Sequence, residues 1–411
     1  MTRSHSRPRR RGPTLAMLLT LAGCGGGAGD GLTGSWSSVL DLAGGELPFM
    51  LHVEREDTGY TGRICNGPGC QPLSALTRTG DTLRLEIGDY DATVTATLTG
   101  DSLIGVYRNV GNRGPRVIPF RATRGAETIR PGPEALLGRW DATFITDTRR
   151  SPRVFEIRNG ATGLEGNVLA NSGDYGIFHG AAVGDSFFLA KFDGSFVYLA
   201  AGRLEGDTLR GVFHAGLRTQ TPFLAVRSTG GRHLTPPDEL TRADTLTPFR
   251  FAFPDLEGRL VTQDDPRFRG KVVMVDIFGS WCPTCHDAAP TLVEFHRDYR
   301  DRGLAVLGLA YEVTGDTAVD HRQLRRYRDK FGIEFPLLLG GINEVEATAA
   351  TLPQLEGFTA YPTTLFLGRD GRIREVHAGF LGPGTGAQYT RQIEGLRATI
   401  ERLLAEPGSR E

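Results

Sequence analysis

Residues 272–286 read VVMVDIFGSWCPTCH. The first seven form an almost continuous apolar run, as expected of a strand buried on both faces of a sheet. Asp276 interrupts that run. Cys282-Pro283-Thr284-Cys285 follows at once, and Ala288, Leu292, Phe295 and Tyr299 then recur at helical spacing. A strand, a short loop with two cysteines one helical turn apart, and a helix therefore succeed one another. Pro283 suits an early helix position, where a missing N–H is of no consequence. Cys282 falls at the helix N-terminus, where unpaired N–H groups and the helix dipole favour a thiolate. It is expected to be the attacking sulfur, with the more buried Cys285 as the resolving one.

Outward from this point the pattern stays α/β. Residues 304–312 read as a strand, 317–331 as a polar helix, 335–339 as a strand and 343–356 as another helix. Tyr361-Pro362-Thr363-Thr364 leads into a strand at 365–367, a hairpin crosses Gly368–Gly371 to 373–377, and a last helix shows Ile393, Leu396, Ile400 and Leu404 on one face. Residues 246–411 form one domain on this reading, preceded by a Pro-containing linker at 231–245.

These motifs resemble the thioredoxin superfamily, and within it the exported TlpA/ResA/CcmG-like thiol–disulfide oxidoreductases. The residues that carry the likeness are Gly270-Lys271, Trp281-Cys282-x-x-Cys285, Pro290 and Tyr361-Pro362-Thr363. The segment 317–356 corresponds to the insertion of these exported relatives, and the Pro-Thr dipeptide matches the members active in cytochrome c maturation. The resemblance implies a redox-active Cys282–Cys285 disulfide, a cis Pro362 against it, and supporting roles for Trp281, Pro283, Thr284 and Tyr361. It further implies disulfide-bearing protein substrates, a membrane electron donor of the DsbD/CcdA type, and no metal or other cofactor. Asp276 stands where thioredoxin has a buried acid that takes the proton of the second cysteine. The sequence departs from ResA-like proteins three residues past Cys285, where Ala288 replaces a Glu and the adjacent Asp287 should point elsewhere. Acid–base help then falls to Asp276, with Glu312 at a strand end as a second candidate.

Other readings of the same residues are a disulfide-forming oxidant and a thiol peroxidase of the same fold. A peroxiredoxin would need a different sequence around its nucleophile. Cys282–His286 also spells C-x-x-C-H, a c-type haem attachment sequence. No methionine follows Met274 to serve as a distal ligand, although His296, His321 and His377 could. A redox-inert, ligand-binding lipoprotein is a further class, against which the intact cysteine pair argues.

The chain has 411 residues, enough for two or three domains. Its 47 basic and 48 acidic residues balance, which gives no support to nucleic-acid binding. Its 55 glycines exceed average usage about twofold and point to many turns between short strands. Five landmarks recur in order at offsets of 103–106 residues: Gly34-x-Trp36 with Gly138-x-Trp140, Gly59 and Gly62 with Gly163 and Gly166, Gly80-Asp81 with Gly184-Asp185, 98–107 with 204–213, and 120–124 with 223–227. The repeat marks two copies, 34–128 and 129–230. Period-2 alternation and frequent turns give about eight strands per copy, expected to close as up-and-down barrels. Trp36 and Trp140 are expected to pack the barrel floors. The pair of domains is expected to serve as a spacer, or else as a small-ligand or docking module. The fold class is thus two tandem all-β domains followed by an α/β domain.

Residues 1–13 are Arg-rich and acid-free, and 14–22 are apolar: the two parts of an export signal. Leu21-Ala22-Gly23-Cys24 resembles a bacterial lipobox, which makes 1–23 a signal peptide, Cys24 the lipidated residue and 24–33 a Gly-rich tether. No Asp follows Cys24, so the expected location is the cell envelope, facing the periplasm at the outer membrane. Cys65 and Cys70 flank a turn and are expected to form a structural disulfide.

Overall fold

The computed structural model describes residues 30–111, 114–125 and 131–407; the expected signal peptide, Cys24 and most of the expected tether lie outside the described residues. The two repeats each close into an eight-stranded antiparallel barrel, as their alternation and turn spacing require. In the first, strands from Gly34–Leu42 to Gly114–Arg124 follow one another, and Gly45–Glu56 closes the ring on Gly59–Asn66. A ninth strand, Gly69–Pro72, pairs only with Gly59–Asn66. In the second, eight consecutive strands run from Gly138–Ile145 to Thr219–Arg227, and those two close the ring.

Both barrels carry the same lock at the floor. The Trp36 and Trp140 indoles are fully buried and donate to the carbonyls of Leu32 and Leu136, at 2.9 and 3.0 Å. The guanidinium groups of Arg124 and Arg227 lie over the two rings, 4.5 and 4.1 Å from their centroids. Each arginine also donates to the carbonyls of the incoming segment. Gly34 and Gly138 open the first strand of each barrel at φ +131° and +113°, and a Cβ there would lie 3.0 Å from the arginine Nη1. The lock corrects one boundary. Leu32, read above as tether, is fully buried beneath Trp36, so the packed part of the first barrel already includes residues ahead of Gly34.

The first barrel is filled and its end is plugged. Phe192 and Val197, from one hairpin of the second barrel, join its apolar core, with the Phe192 ring 4.6 Å from Phe49. Tyr107 and Asn66 of the first barrel bond to the backbone of Gly194 and Phe192 in that hairpin. The segment 231–245 is likewise not a free linker. His233 bonds to the carbonyl of Ala142, Thr235 to Asn171, and Arg242–Ala243 pairs with Leu355–Glu356.

The C-terminal domain is thioredoxin-like. Its five-stranded sheet has the order Leu337–Ile342, Leu304–Glu312, Val272–Phe278, Thr363–Leu367, Ile373–Ala378, parallel across the first three and antiparallel thereafter. Helices Pro283–Tyr299, Thr317–Phe331 and Ala387–Ala405 cover it. Two sequence expectations fail locally. The expected helix at 343–356 spans only Val345–Thr351, because Pro353 disfavours helical geometry at Leu352 and the chain turns to pair Leu355 with Ala243. The strand expected at 335–339 starts at Leu337, after Pro336, which has no N–H for the ladder. No helix among the described residues is long and apolar enough to cross a membrane.

Gly138→Ala is expected to destabilise the second barrel by about 2 kcal/mol, through a positive-φ penalty and crowding against Arg227. Chemical denaturation checks this, with Gly206→Ala as the comparison: it shares the positive φ but has nothing within 4 Å of its Cβ, and should lose less.

Candidate active site

The central strand Val272–Phe278 delivers the chain to Gly279, and a tight turn with Cys282 N–H bonded to the Gly279 carbonyl (3.1 Å) starts the helix Pro283–Tyr299. Cys282 is the N-cap residue, with no side chain capping the helix, and the N–H groups of Cys285 and His286 both bond to its carbonyl. Both cysteines are free and buried, Cys282 at 4% exposure and Cys285 at 0%. The Tyr361–Pro362 bond is cis, and the Tyr361 carbonyl lies 3.8 Å from the Cys282 sulfur. Trp281 donates from Nε1 to the Tyr311 carbonyl (2.8 Å) and meets the Tyr361 ring edge-on. Trp281, Cys282, Cys285, Tyr361 and Pro362 are thus brought together.

The two candidate acids have different surroundings. Asp276 is 2% exposed, and one carboxylate oxygen has no hydrogen-bond partner. Burial lifts its carboxyl to about 7, opposed in part by Thr364 across the strand pair. Burial also pushes the Cys285 thiol well above its ordinary value, and the charges of Cys282 and Asp276 add to that. The charge of Asp276 thus bears on the inner thiol. Glu312 is equally buried and also lifted to about 7 by burial, but both its oxygens are engaged. It accepts from the Ser280 N–H (2.8 Å) and the Ser280 hydroxyl (2.7 Å). Glu312 fixes the loop ahead of Trp281 and is a positioning residue. Asp287 faces the second barrel, where burial and the nearby Asp174 raise it to about 7.

His286 is held at both ring nitrogens: Nε2 bonds to the Ser280 carbonyl (2.7 Å), and Nδ1 lies 3.2 Å from Lys330 Nζ. With the lysine donating, the ring is neutral with its proton on Nε2, and burial with Lys330 pushes its pKa down to about 4. It packs among Tyr90, Tyr327 and Phe331. Neither nitrogen is left to ligate an iron, so C-x-x-C-H acts here as packing.

Sequence reasoning missed the cover. Ser195 of the second barrel donates to the Trp281 carbonyl (2.8 Å), and Thr284 donates to the Asp174 carbonyl (3.1 Å). From the first barrel, the Tyr90 ring packs at a tilt against His286 and Asp89 pairs with Lys330. Between them a polar cavity of about 190 Å³ is lined by Tyr90, Lys191, Asp193, Thr284, Asp287 and Lys330, among others. Tyr327 donates to the Cys285 carbonyl (2.9 Å) from the neighbouring helix. The barrels therefore form one wall of the dithiol site. Cys65 and Cys70 are bonded to each other across the Gly59–Asn66/Gly69–Pro72 pair, in the first barrel.

Residues 247–376 match the AhpC/TSA family. The thiol–disulfide oxidoreductase ResA of Halalkalibacterium halodurans is 25% identical over 130 residues, which is 31% of this chain and 65% of that protein. ResA of Bacillus thuringiensis is 26% identical over 123 residues, 30% of this chain and 62% of its own length. This chain thus spans less than two thirds of those two relatives. Among solved structures, a thiol:disulfide interchange protein of the thioredoxin family from Chlorobium tepidum is 18% identical, with 40% of this chain and 99% of that one covered and a TM-score of 0.31.

Asp276→Asn tests the buried acid. The folded carboxyl, at about 7, holds its proton more tightly than the unfolded one at 3.8. The folded state therefore binds more protons between these values, and stability falls as pH rises through that window. Asp276→Asn removes this loss: denaturation should show a gain of roughly 2–4 kcal/mol at pH 8 relative to wild type, and a much smaller one at about pH 4. The same variant should slow the Cys285 step about 10²-fold near neutral pH.

Proposed function

We propose that the protein is a lipid-anchored thiol–disulfide oxidoreductase of the bacterial envelope that reduces protein disulfides through Cys282 and Cys285. The observation that carries this reading is the pair of free cysteines at the start of the Pro283–Tyr299 helix, with the cis-Pro362 turn over the outer sulfur and the charge of the buried Asp276, one oxygen of which is unpartnered, bearing on the inner one. In the reaction, the Cys282 thiolate attacks a substrate sulfur, the substrate S–S bond breaks, and the first substrate thiolate leaves. Cys285 then gives its proton to the Asp276 carboxylate and attacks the Cys282 sulfur, releasing the second thiolate. Two electrons pass from the dithiol to the substrate, and a membrane donor of the DsbD/CcdA type restores them.

The Pro362-Thr363 dipeptide supports a reductant, and the ResA relatives support the exchange chemistry. The lipobox at 21–24 supports an anchor in the envelope, with the periplasm as the working compartment. Because the barrels cover one side of Cys282, a substrate must enter as a narrow segment or a small molecule rather than as a folded surface.

Cys282→Ser should abolish reduction of a disulfide substrate, Cys285→Ser should accumulate a mixed disulfide visible by intact mass, and Cys65→Ser should leave turnover within about twofold. Equal loss from Cys282→Ser and Cys65→Ser would refute the division of the cysteines. A redox titration read by thiol alkylation sets the direction: a potential near −270 mV marks a reductant and one near −120 mV an oxidant, the approximate extremes of this fold. Acylation of wild type but not of Cys24→Ser tests the anchor.

A further inference from the structure

The second barrel is not filled at the end that meets the dithiol. A cavity of about 750 Å³ lies there, within the size range of small-molecule sites. Its wall is shared by all three domains: Arg116 and Val117 come from the first barrel, Arg153, Tyr198 and Arg218 from the second, and Trp281 from the residue preceding Cys282. Its lining has two parts. One is aromatic, with Phe144, Tyr175, Phe196, Tyr198, Phe213 and Trp281. The other is cationic: Arg116, Arg149, Arg153 and Arg218 line it, and no acidic residue does.

The charges are not consumed internally. Arg116 is partly engaged, bonding to Asn109 and to the Ser195 carbonyl. Among the described residues, Arg149, Arg153 and Arg218 form no ion pair. Arg153 Nε is buried without a hydrogen-bond partner, and its guanidinium lies over the Phe144 and Tyr175 rings at 5.1 and 5.7 Å. The neighbouring Asp193 is turned away from the cavity, toward Lys191 and the N–H groups of Ser195 and Phe196. The Arg153 side chain is half-buried, and its Nη1 donates to the Pro152 carbonyl at 2.7 Å. A half-buried guanidinium stacked on aromatic rings, with a buried open donor and no counter-ion, is a site for an anion. Val117 and Leu217, 49% and 39% exposed, add apolar surface at the mouth. Ser195, which also lines the cavity, donates to the carbonyl of Trp281, the residue next to Cys282.

We infer that this cavity binds the substrate of the dithiol, and that the substrate is a disulfide bearing a carboxylate beside an apolar or aromatic group. The inference rests on the exchange activity proposed above and names its substrate class. The carboxylate meets Arg153 and Arg218, the apolar part lies along the aromatic wall to Trp281, and the disulfide is thereby brought to Cys282. Electrons and protons balance as in any dithiol exchange: the protein dithiol becomes a disulfide, the substrate disulfide becomes two thiols, and no further oxidant or reductant takes part. A small disulfide acid and an acidic cysteine-containing peptide segment share this chemistry.

The test uses the reduced full chain with two aromatic disulfides, dithiobis(nitrobenzoate), which has a carboxylate on each ring, and the uncharged dithiodipyridine. The quantity read is the ratio of their rate constants at low substrate. Arg153→Ala should lower that ratio at least about tenfold, as expected when a charge-assisted hydrogen bond is lost. Arg218→Glu, at an exposed position that cannot disturb packing, should lower it as well. A ratio unchanged in both variants overturns the inference. If wild type reduces neither disulfide, the exchange activity itself fails, and calorimetry with nitrobenzoate on Cys282→Ser protein decides the cavity separately: binding that Arg218→Glu weakens upholds an anion site, and no binding overturns it. Disulfide-linked peptides with Glu or Gln beside the cysteine distinguish the source. A Glu preference that depends on Arg153 assigns a peptide segment, and its absence alongside a positive nitrobenzoate result assigns a small molecule.

Discussion

A sulfur that attacks a disulfide must be reachable, yet the helix start that carries it works best where water is scarce and every neighbouring dipole is fixed. Under the proposed exchange activity this conflict is met at Cys282. On the sheet side, Glu312 holds Ser280, Tyr311 holds Trp281, and the Tyr361–Pro362 turn lies over the sulfur. On the other side the wall is not solvent but the barrels, through Ser195 on the Trp281 carbonyl and Asp174 on Thr284. The Trp281–Asp287 segment is thus tied on both faces, and a cavity flanks it on either side of Cys282, one lined by Trp281 and the other by Pro283 and Thr284.

The duplication explains how two barrels of one plan can perform different tasks. Both keep the Trp–Arg floor lock, which closes one end and fixes the entry of the first strand. They differ at the open end. In the first barrel that end receives Phe192 and Val197 and becomes part of a continuous core. In the second, the corresponding space remains open and collects arginines and aromatic rings. The first barrel is thus a support that fixes the second, and the second presents its mouth to the dithiol. A spacer would need neither the shared cavity wall nor the contacts to the active-site loop.

What could be read in the sequence follows the range of the interactions. The strand, the cysteine pair and the helix are encoded within residues 272–299, so local pattern sufficed. The barrels were legible because the repeat displays the same turns and Gly-x-Trp twice, and the Cys65–Cys70 pair because it spans only five residues. The helix at 343–356 was overextended because its end depends on Arg242–Ala243, more than a hundred residues away. Ser195, Asp174 and Tyr90 were missed for the same reason. Each is an ordinary turn or strand residue in its own neighbourhood and acquires a role only when the barrels dock. The arginines of the cavity are likewise scattered among 47 basic residues, and only the fold removes acids from around them.

Three carboxyls near the dithiol are lifted to about 7 by burial: Asp276, Asp287 and Glu312. Their partners assign them different work. Glu312 spends both oxygens on Ser280, and Asp287 belongs to the junction with Asp174, so neither has a free oxygen near the inner sulfur that the geometry identifies. Asp276 alone combines an unpartnered oxygen with an electrostatic influence on Cys285. This gives a physical reason for Ala288 where ResA-like proteins carry Glu. Ala288 is 3% exposed, in the same apolar cluster as both cysteines. A further carboxylate there would be desolvated beside a group that must itself ionise to accept a proton. Each charge would oppose the other, and the proton relay would lose the near-neutral pKa that suits it to exchange. In the proposed exchange, with the barrels covering this side, Asp276 would serve as the one buried acid, and Ala288 keeps its surroundings apolar.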